Sequence, residues 1–125
     1  MFHKIKHRVR HHTISFAHAW DGIVWVFRTQ PNYRIHVTLS IIAVTLGLFF
    51  QLERFEWLVI ALLITMGLVI ETINSAFEQT LDCVTLEKRE DVRIAKDAAA
   101  GAMLIFAISA AVLGGVIFLP RMFAM

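Results

Sequence analysis

The sequence predicts an all-α integral membrane protein, with an N-terminal amphipathic surface helix and three transmembrane helices in one domain, 1–125. Hydrophobic residues make up 58% and charged residues 18%, whereas soluble domains contain about 45–50% and 25%. The mean hydropathy is +0.66. Three long apolar stretches follow a basic, periodic N-terminal segment. A soluble enzyme, a disordered chain and a disulfide scaffold are therefore excluded, the last because Cys83 is the only cysteine.

Residues 1–28 predict a helix lying on the membrane surface. Its apolar positions recur mostly at spacings of three and four, which is one stripe of an α-helix. The stripe consists of Phe2, Ile5, Val9, Thr13, Phe16, Trp20, Ile23, Val24 and Phe27. Lys4 and Arg8 lie opposite the stripe, as expected for a helix in the headgroup plane. A nucleic-acid or calmodulin-binding peptide is the less favoured alternative, because membrane spans follow at once.

The three apolar stretches predict spans at 35–52, 57–81 and 98–119. A helix needs about 20 mostly apolar residues to cross the hydrocarbon core. The first stretch has 18 residues without an acid, Lys or Arg, and the third has 22 uncharged residues. The middle stretch has only 14 uncharged residues, 57–70, which give about 21 Å of helix. It must therefore continue through Glu71, whose carboxylate is carried into or near the membrane.

The distribution of Lys and Arg predicts the orientation of these spans. Of the 12 such residues, 10 lie before the first span or in the 82–97 loop. Arg54 and Arg121 are the two on the other side. Because positive charge concentrates on the cytoplasmic side, we expect a multi-pass protein of the cell inner or plasma membrane, with the N-terminus in the cytoplasm and the C-terminus outside.

A polar stripe marks the second half of the middle span. At 100° per residue, its members fall within an arc of roughly 100°. They are Glu71, Asn74, Ser75, Glu78 and Asp82. Three interpretations are open: a polar seam between helices, a path for cations or protons, or a Mg²⁺-nucleotide site. Hard carboxylate ligands, with substrate phosphates completing the shell, suit the third.

The third span begins with Lys96 and Asp97 just before it. A lysine beside a helix N-terminus is a candidate phosphate contact, since free backbone N–H groups favour anions there. A membrane anchor of the positive-inside type is the alternative interpretation. The sequence has no P-loop and no protein-kinase signature.

These residues resemble the prokaryotic diacylglycerol kinase family, which includes undecaprenol kinases. The resemblance depends on the pattern E-x-x-N-S-A-x-E-x-x-x-D at 71–82 and on A-K-D at 95–97, which small residues follow. The segment 19–22 is similar to the family's W-x-G. The segment 32–36 looks more like the undecaprenol-kinase branch.

The resemblance implies a homotrimeric, Mg²⁺-dependent lipid kinase. It would transfer the γ-phosphoryl group of ATP to the hydroxyl of undecaprenol or diacylglycerol at the cytoplasmic face. By position, Glu71 matches the general base, Glu78 a metal ligand, and Asn74 a supporting residue of the nucleotide site. Lys96, Asp97 and Glu87 match nucleotide contacts.

One position departs from the family pattern. Where members commonly have a second metal-binding glutamate, ten residues after the tryptophan of W-x-G, this chain has Gln30. An amide oxygen can ligate Mg²⁺ but brings no charge, so weaker metal binding is expected. Two other functions stay open: a small cation transporter or channel subunit, and a catalytically impaired member with a structural role. The acceptor lipid is not decided by the sequence, and no nucleic-acid partner is expected.

Overall fold

The computed structural model describes the backbone of residues 2–85, 87 and 89–124, and the side chains within these ranges from Ser15 onward. The described chain forms four helices: α1 (Phe2–Thr29), α2 (Pro31–Phe49), α3 (Arg54–Val84) and α4 (Glu90–Phe123). The predicted all-α architecture is confirmed. By length and composition, α2, α3 and α4 can each cross a membrane. The side chains of the stripe before Ser15, and Lys88, lie outside the described residues.

The third helix is the centre of the fold, since α3 contacts each of the other helices. Its buried residues are Ile60, Gly67, Glu71, Asn74 and Ser75. Large apolar side chains are exposed on the outer faces of all three spans, including Leu62, Leu104 and Val116. Such a surface suits hydrocarbon rather than water, which agrees with a membrane location.

Two helices are longer than the spans predicted from hydropathy. The 31 residues of α3 and the 34 residues of α4 give about 46 and 51 Å of helix, whereas the hydrocarbon core measures about 30 Å. Both are therefore longer than the core, and their charged segments, 78–82 of α3 and 90–97 of α4, place the excess where α3 ends and α4 begins, here called the loop end. The opposite end, where residues 50–53 join α2 to α3, is called the turn end.

The helix α2 ends at Phe49, although the first span was predicted to reach residue 52. The backbone N–H of Leu52 donates to the Gly47 carbonyl at 3.0 Å, and that of Gln51 donates to the Leu48 carbonyl at 3.3 Å. These two bonds form a Schellman motif. Gln51 takes the left-handed position of the motif, with a φ of 52°, where glycine is usual. The chain thus turns three residues before the apolar stretch ends.

Replacing Gln51 with glycine is expected to stabilise the protein. A residue with a Cβ costs roughly 1–2 kcal/mol in the left-handed region. Glycine avoids this cost, but it loses more backbone entropy on folding, which cancels part of the gain. We expect Gln51→Gly to raise the free energy of unfolding by about 0.5–1 kcal/mol, measured by denaturant or thermal unfolding in detergent micelles. Gln51→Ala keeps the Cβ and is the control; equal stability of the two variants would contradict the explanation.

An ion pair fastens α3 to α4 at the turn end. The Arg121 Nη2 atom lies 2.7 Å from Glu56 Oε2, and the Glu53 backbone N–H donates to the same oxygen at 2.8 Å. The main apolar cluster, Leu52, Ile60 and Ile117, lies nearby and packs against Trp57 and Phe118. The Gly47 backbone closes against Trp57, since a Cβ on Gly47 would lie 2.7 Å from the indole. The turn end is therefore closely packed, and it lies far from the loop end.

Candidate active site at the loop end

A buried polar cluster lies on the face of α3 that the sequence singled out. The exposed fractions are 2% for Glu71, 7% for Asn74 and 1% for Ser75. These positions are spaced i, i+3 and i+4, so a single helical face presents all of them. The predicted polar stripe is thus largely enclosed by the chain itself, although Asp82 at its far end is exposed.

Several oxygen atoms of this cluster have no hydrogen-bond partner among the described residues. They are Oε2 of Glu71, Oδ1 of Asn74 and Oγ of Ser75. In contrast, the hydroxyls of Thr72 and Thr80 donate to the carbonyls of Leu68 and Ala76, at 2.7 and 2.8 Å. A buried polar group left unpaired costs about 1–3 kcal/mol. These oxygens therefore keep lone pairs that a ligand, a cation or a neighbouring subunit could engage.

Glu78 lies one turn beyond Asn74 and is half-buried. The Asn74 amide nitrogen is 3.5 Å from Glu78 Oε1, which is a long hydrogen bond. The amide thus supports the carboxylate that the sequence analysis assigned to a metal. The sequence assigned no function to Ser75, although its position in the polar stripe could have indicated one. Because Ser75 is buried and its hydroxyl has no partner among the described residues, it belongs to the site.

Gln30 occupies the single residue between α1 and α2. It is half-buried and extended, with φ −100° and ψ 110°. Among the described side chains, no hydrogen bond joins it to Glu78. The expected second metal ligand, Gln30, therefore lies at the junction of α1 and α2. Although α1 contacts α3, no direct bond joins Gln30 to Glu78 within a single chain.

The donor set of the cluster fits Mg²⁺. Within the described residues, no three His, Cys, Asp or Glu side chains come together as a complete metal site. Magnesium in nucleotide enzymes commonly takes one or two carboxylates and completes its shell with water and substrate phosphates. Carboxylate and amide oxygens without donors, as on Glu71 and Asn74, match that preference for hard oxygen ligands.

An open cleft of about 440 Å³, lined largely by charged residues, lies at the loop end, further along α3 than the cluster. Asp82 on α3 is four residues after Glu78, about 6 Å further along the helix axis. The cleft brings together three of the four residues predicted for the nucleotide site, Glu87, Lys96 and Asp97, and adds two arginines, whereas Asn74 does not line it. Its charged lining includes Asp82, Glu87, Arg89, Arg93, Lys96 and Asp97.

Lys96 crosses from α4 to α3, where its Nζ atom lies 2.5 Å from Asp82 Oδ1. The helix α4 begins at Glu90, so Lys96 is two turns inside it. The argument from a helix N-terminus was therefore wrong for this lysine, because the backbone N–H groups around it are bonded within the helix. Its assignment as a nucleotide contact stays a prediction, and Asp82 holds it in place.

The remaining charges of the cleft form local pairs. Arg93 lies 2.6 Å from the Asp97 carboxylate and also pairs with Glu90. Arg89 pairs with Asp91 at 2.7 Å. The hydrogen bond from Arg93 lowers the pKa of Glu90, and that from Arg89 lowers the pKa of Asp91. The sequence analysis used the arginines only for orientation, yet both line the cleft with the lysine.

Comparisons with known proteins identify the family. A model of prokaryotic diacylglycerol kinase matches residues 17–118. An undecaprenol kinase of Bacillus subtilis is 37% identical over 108 residues, 86% of this chain and 88% of the relative. A diacylglycerol kinase of Synechocystis sp. is 34% identical over 113 residues, 90% of this chain. The match spans 65% of the length of that relative.

A more distant diacylglycerol kinase, of Pseudomonas aeruginosa, is 26% identical over 89 residues, 71% of this chain and 72% of the relative. The names of all these relatives agree with the enzyme class that the sequence predicted, an ATP-dependent lipid kinase. The polar cluster and the cleft both lie within the matched residues. The chain therefore belongs to the prokaryotic diacylglycerol kinase family.

Proposed function

We propose that this protein transfers the γ-phosphoryl group of ATP to the hydroxyl of a membrane lipid, with Mg²⁺, at the cytoplasmic face. The observation that carries the proposal is the buried Glu71, whose Oε2 is unpaired and which shares its stripe of α3 with Asp82 of the charged cleft. An acid placed there can reach a lipid hydroxyl, while the cleft receives phosphates. The relatives are named for two acceptors, diacylglycerol and undecaprenol.

In the proposed reaction, Glu71 accepts the proton of the lipid hydroxyl. The lipid oxygen forms a bond to the γ-phosphorus, and the bond between that phosphorus and the β–γ bridging oxygen breaks, so that ADP leaves. Phosphoryl transfer needs positioning and charge neutralisation more than covalent chemistry. Lys96, Asp97 and Glu87 position the nucleotide in the cleft, and Asp82 orients the lysine by the observed ion pair.

Mg²⁺ would be held by Glu78 and Gln30, with Asn74 supporting Glu78. When bound, it supplies positive charge that offsets the phosphate oxygens. The unpaired oxygens of the cluster also support a homotrimer, in which a neighbouring subunit completes the site. The concentration of Lys and Arg before the first predicted span and in residues 82–97, which include the start of α4, supports the cytoplasmic location of the loop end.

The test is transfer of labelled γ-phosphate from ATP by the purified protein in detergent, with undecaprenol and diacylglycerol compared side by side. We expect a labelled lipid that requires Mg²⁺, and the faster product names the acceptor. A folded protein that labels neither lipid would refute the proposal. A cation flux in proteoliposomes, without transfer, would instead favour the transporter alternative.

Gln30→Glu is expected to tighten metal binding. The substitution adds a negative charge to the proposed ligand pair without changing the length of the side chain. We expect the Mg²⁺ concentration for half-maximal activity to fall several-fold, about tenfold at most, because one added charge is worth on the order of 1 kcal/mol at a half-exposed site. Titrations of activity with Mg²⁺ at saturating ATP measure this. An unchanged curve would remove Gln30 from the ligand set.

A further inference from the structure

A mostly apolar cavity of about 350 Å³ opens between α2, α3 and α4, within the membrane-spanning part of the fold. Gly67 of α3 and the small residues Ala110, Ala111 and Gly114 of α4 contribute to its wall. A Cβ on Gly114 would meet no atom within 4 Å. Small side chains thus leave this space open rather than letting the helices close on it.

The cavity adjoins the buried acid of the proposed active site. Gly67 is four residues before Glu71 on α3, which places it on the same face and about 6 Å away along the axis. Phe106 packs directly on Gly67, since a Cβ there would lie 2.8 Å from the Phe106 ring. From this point the cavity runs toward the turn end, where Ile60 and Phe118 line it.

His36 stands at the end of the cavity that is nearer Glu71. Its Nδ1 atom would lie 3.6 Å from a Cβ on Gly67, and its ring centroid is 6.1 Å from that of Phe106. The nearby Ser40 hydroxyl already donates to the His36 carbonyl at 2.7 Å. The imidazole itself makes no hydrogen bond to a described side chain, so the cavity has one polar group at one end and hydrocarbon beyond it.

We propose that this cavity holds the hydrocarbon chain of the acceptor lipid next to its hydroxyl, and that His36 contacts the polar end. The inference rests on the proposed function and adds the place and chemistry of acceptor binding. A lipid whose hydroxyl reaches Glu71 must lead its chain away through the membrane, and the cavity starts one turn from that acid. Its volume is over twice the ~150 Å³ of an apolar cavity that takes up benzene, which suits one chain segment and not two complete chains.

Photolabelling of the wild-type protein tests the site directly. The probe is a long-chain primary alcohol with a diazirine within its chain, applied to the full-length protein in detergent and mapped by mass spectrometry. We expect labels on the cavity wall of α3 and α4, including Ala110 and Gly114, and competition by the acceptor that the kinase assay identifies. Labels spread evenly over lipid-facing positions such as Val112, which is 60% exposed, would overturn the proposal. So would labels absent from the wall, as expected if a second copy fills the cavity.

Filling the cavity with a larger side chain gives an independent test, measured as the KM for the lipid. Ala110→Phe is expected to raise the KM for the lipid by about tenfold or more, because it displaces a few methylene groups from burial. The KM for Mg·ATP should stay unchanged. Val112→Phe, on the opposite face of α4, is the matched control and should keep the wild-type KM for lipid. If Ala110→Phe fails to fold, the labelling map alone decides.

The two proposals fail in different ways. An inactive wild-type protein refutes the lipid kinase itself. An active wild type with scattered labels, or with a normal lipid KM in folded Ala110→Phe, refutes only the assignment of the cavity.

Discussion

Replacing Glu71 with glutamine is expected to lower kcat by about 10²–10⁴-fold, the range attributed to a general base. The amide has almost the shape of the carboxylate, so burial on α3 is preserved, but it cannot accept the proton of the lipid hydroxyl. The KM for Mg·ATP should stay unchanged, because the proposed nucleotide contacts lie in the cleft at the loop end. Initial rates with varied lipid and varied ATP separate these two effects.

A matched control is available on the same helix. Glu56 is another acid of α3, half-buried rather than buried, and it pairs with Arg121 at the turn end. Glu56→Gln should weaken folding while kcat in the remaining folded protein stays near the wild-type value. Full activity of Glu71→Gln would rule out its role as the base. A higher KM for Mg·ATP with normal kcat would show instead that Glu71 binds the metal or the nucleotide.

Replacing Glu78 with glutamine is expected to remove most of the response to Mg²⁺. Because Gln30 brings no charge, Glu78 supplies the only carboxylate of the proposed ligand pair. The Mg²⁺ concentration for half-maximal activity should rise by at least about 10–100-fold, the loss measured when only a supporting group of a metal ligand is removed. The measurement is activity against Mg²⁺ concentration at a fixed concentration of ATP.

The double variant Gln30→Glu with Glu78→Gln moves the charge from α3 to the α1–α2 junction. If both residues face one metal, part of the Mg²⁺ response should return. Normal Mg²⁺ dependence in Glu78→Gln would exclude Glu78 as a ligand. A loss in Glu78→Gln that the second substitution does not reduce would mean that Gln30 lies too far from the ion.

The sequence was informative about the fold because membrane helices follow simple rules of composition. Apolar length predicted three spans, and all three correspond to helices long and apolar enough to cross a membrane. The helix bounds were predicted less well, because hydropathy marks only the apolar part of a helix, whereas the backbone hydrogen bonds continue into polar residues on either side. Glu90 and Asp91 begin α4 well before its apolar part, and acids are favourable in a first helical turn.

The site was predictable only where its residues share one helix. Helical periodicity placed Glu71, Asn74 and Ser75 on a common face, and the structure buries all three. The pairing of Lys96 with Asp82 joins two helices and depends on how they pack. Periodicity within one segment contains no information about such a contact. The same holds for the cavity, whose wall combines residues of α2, α3 and α4.

The ion pair of Glu56 with Arg121 sets the position of α3 against α4 at the turn end. From Glu56 to Asp82 the arm of α3 measures about 39 Å. Over that length, a tilt of α3 by about 1.5° at the turn end moves Asp82 by about 1 Å. Misplacement by about 1 Å can reduce a reaction rate about 100-fold. A small change of angle at the turn end thus becomes a displacement at the loop end. The packing of Leu52, Ile60 and Ile117 therefore influences how accurately Asp82 and Lys96 meet, although these apolar residues lie far from the cleft.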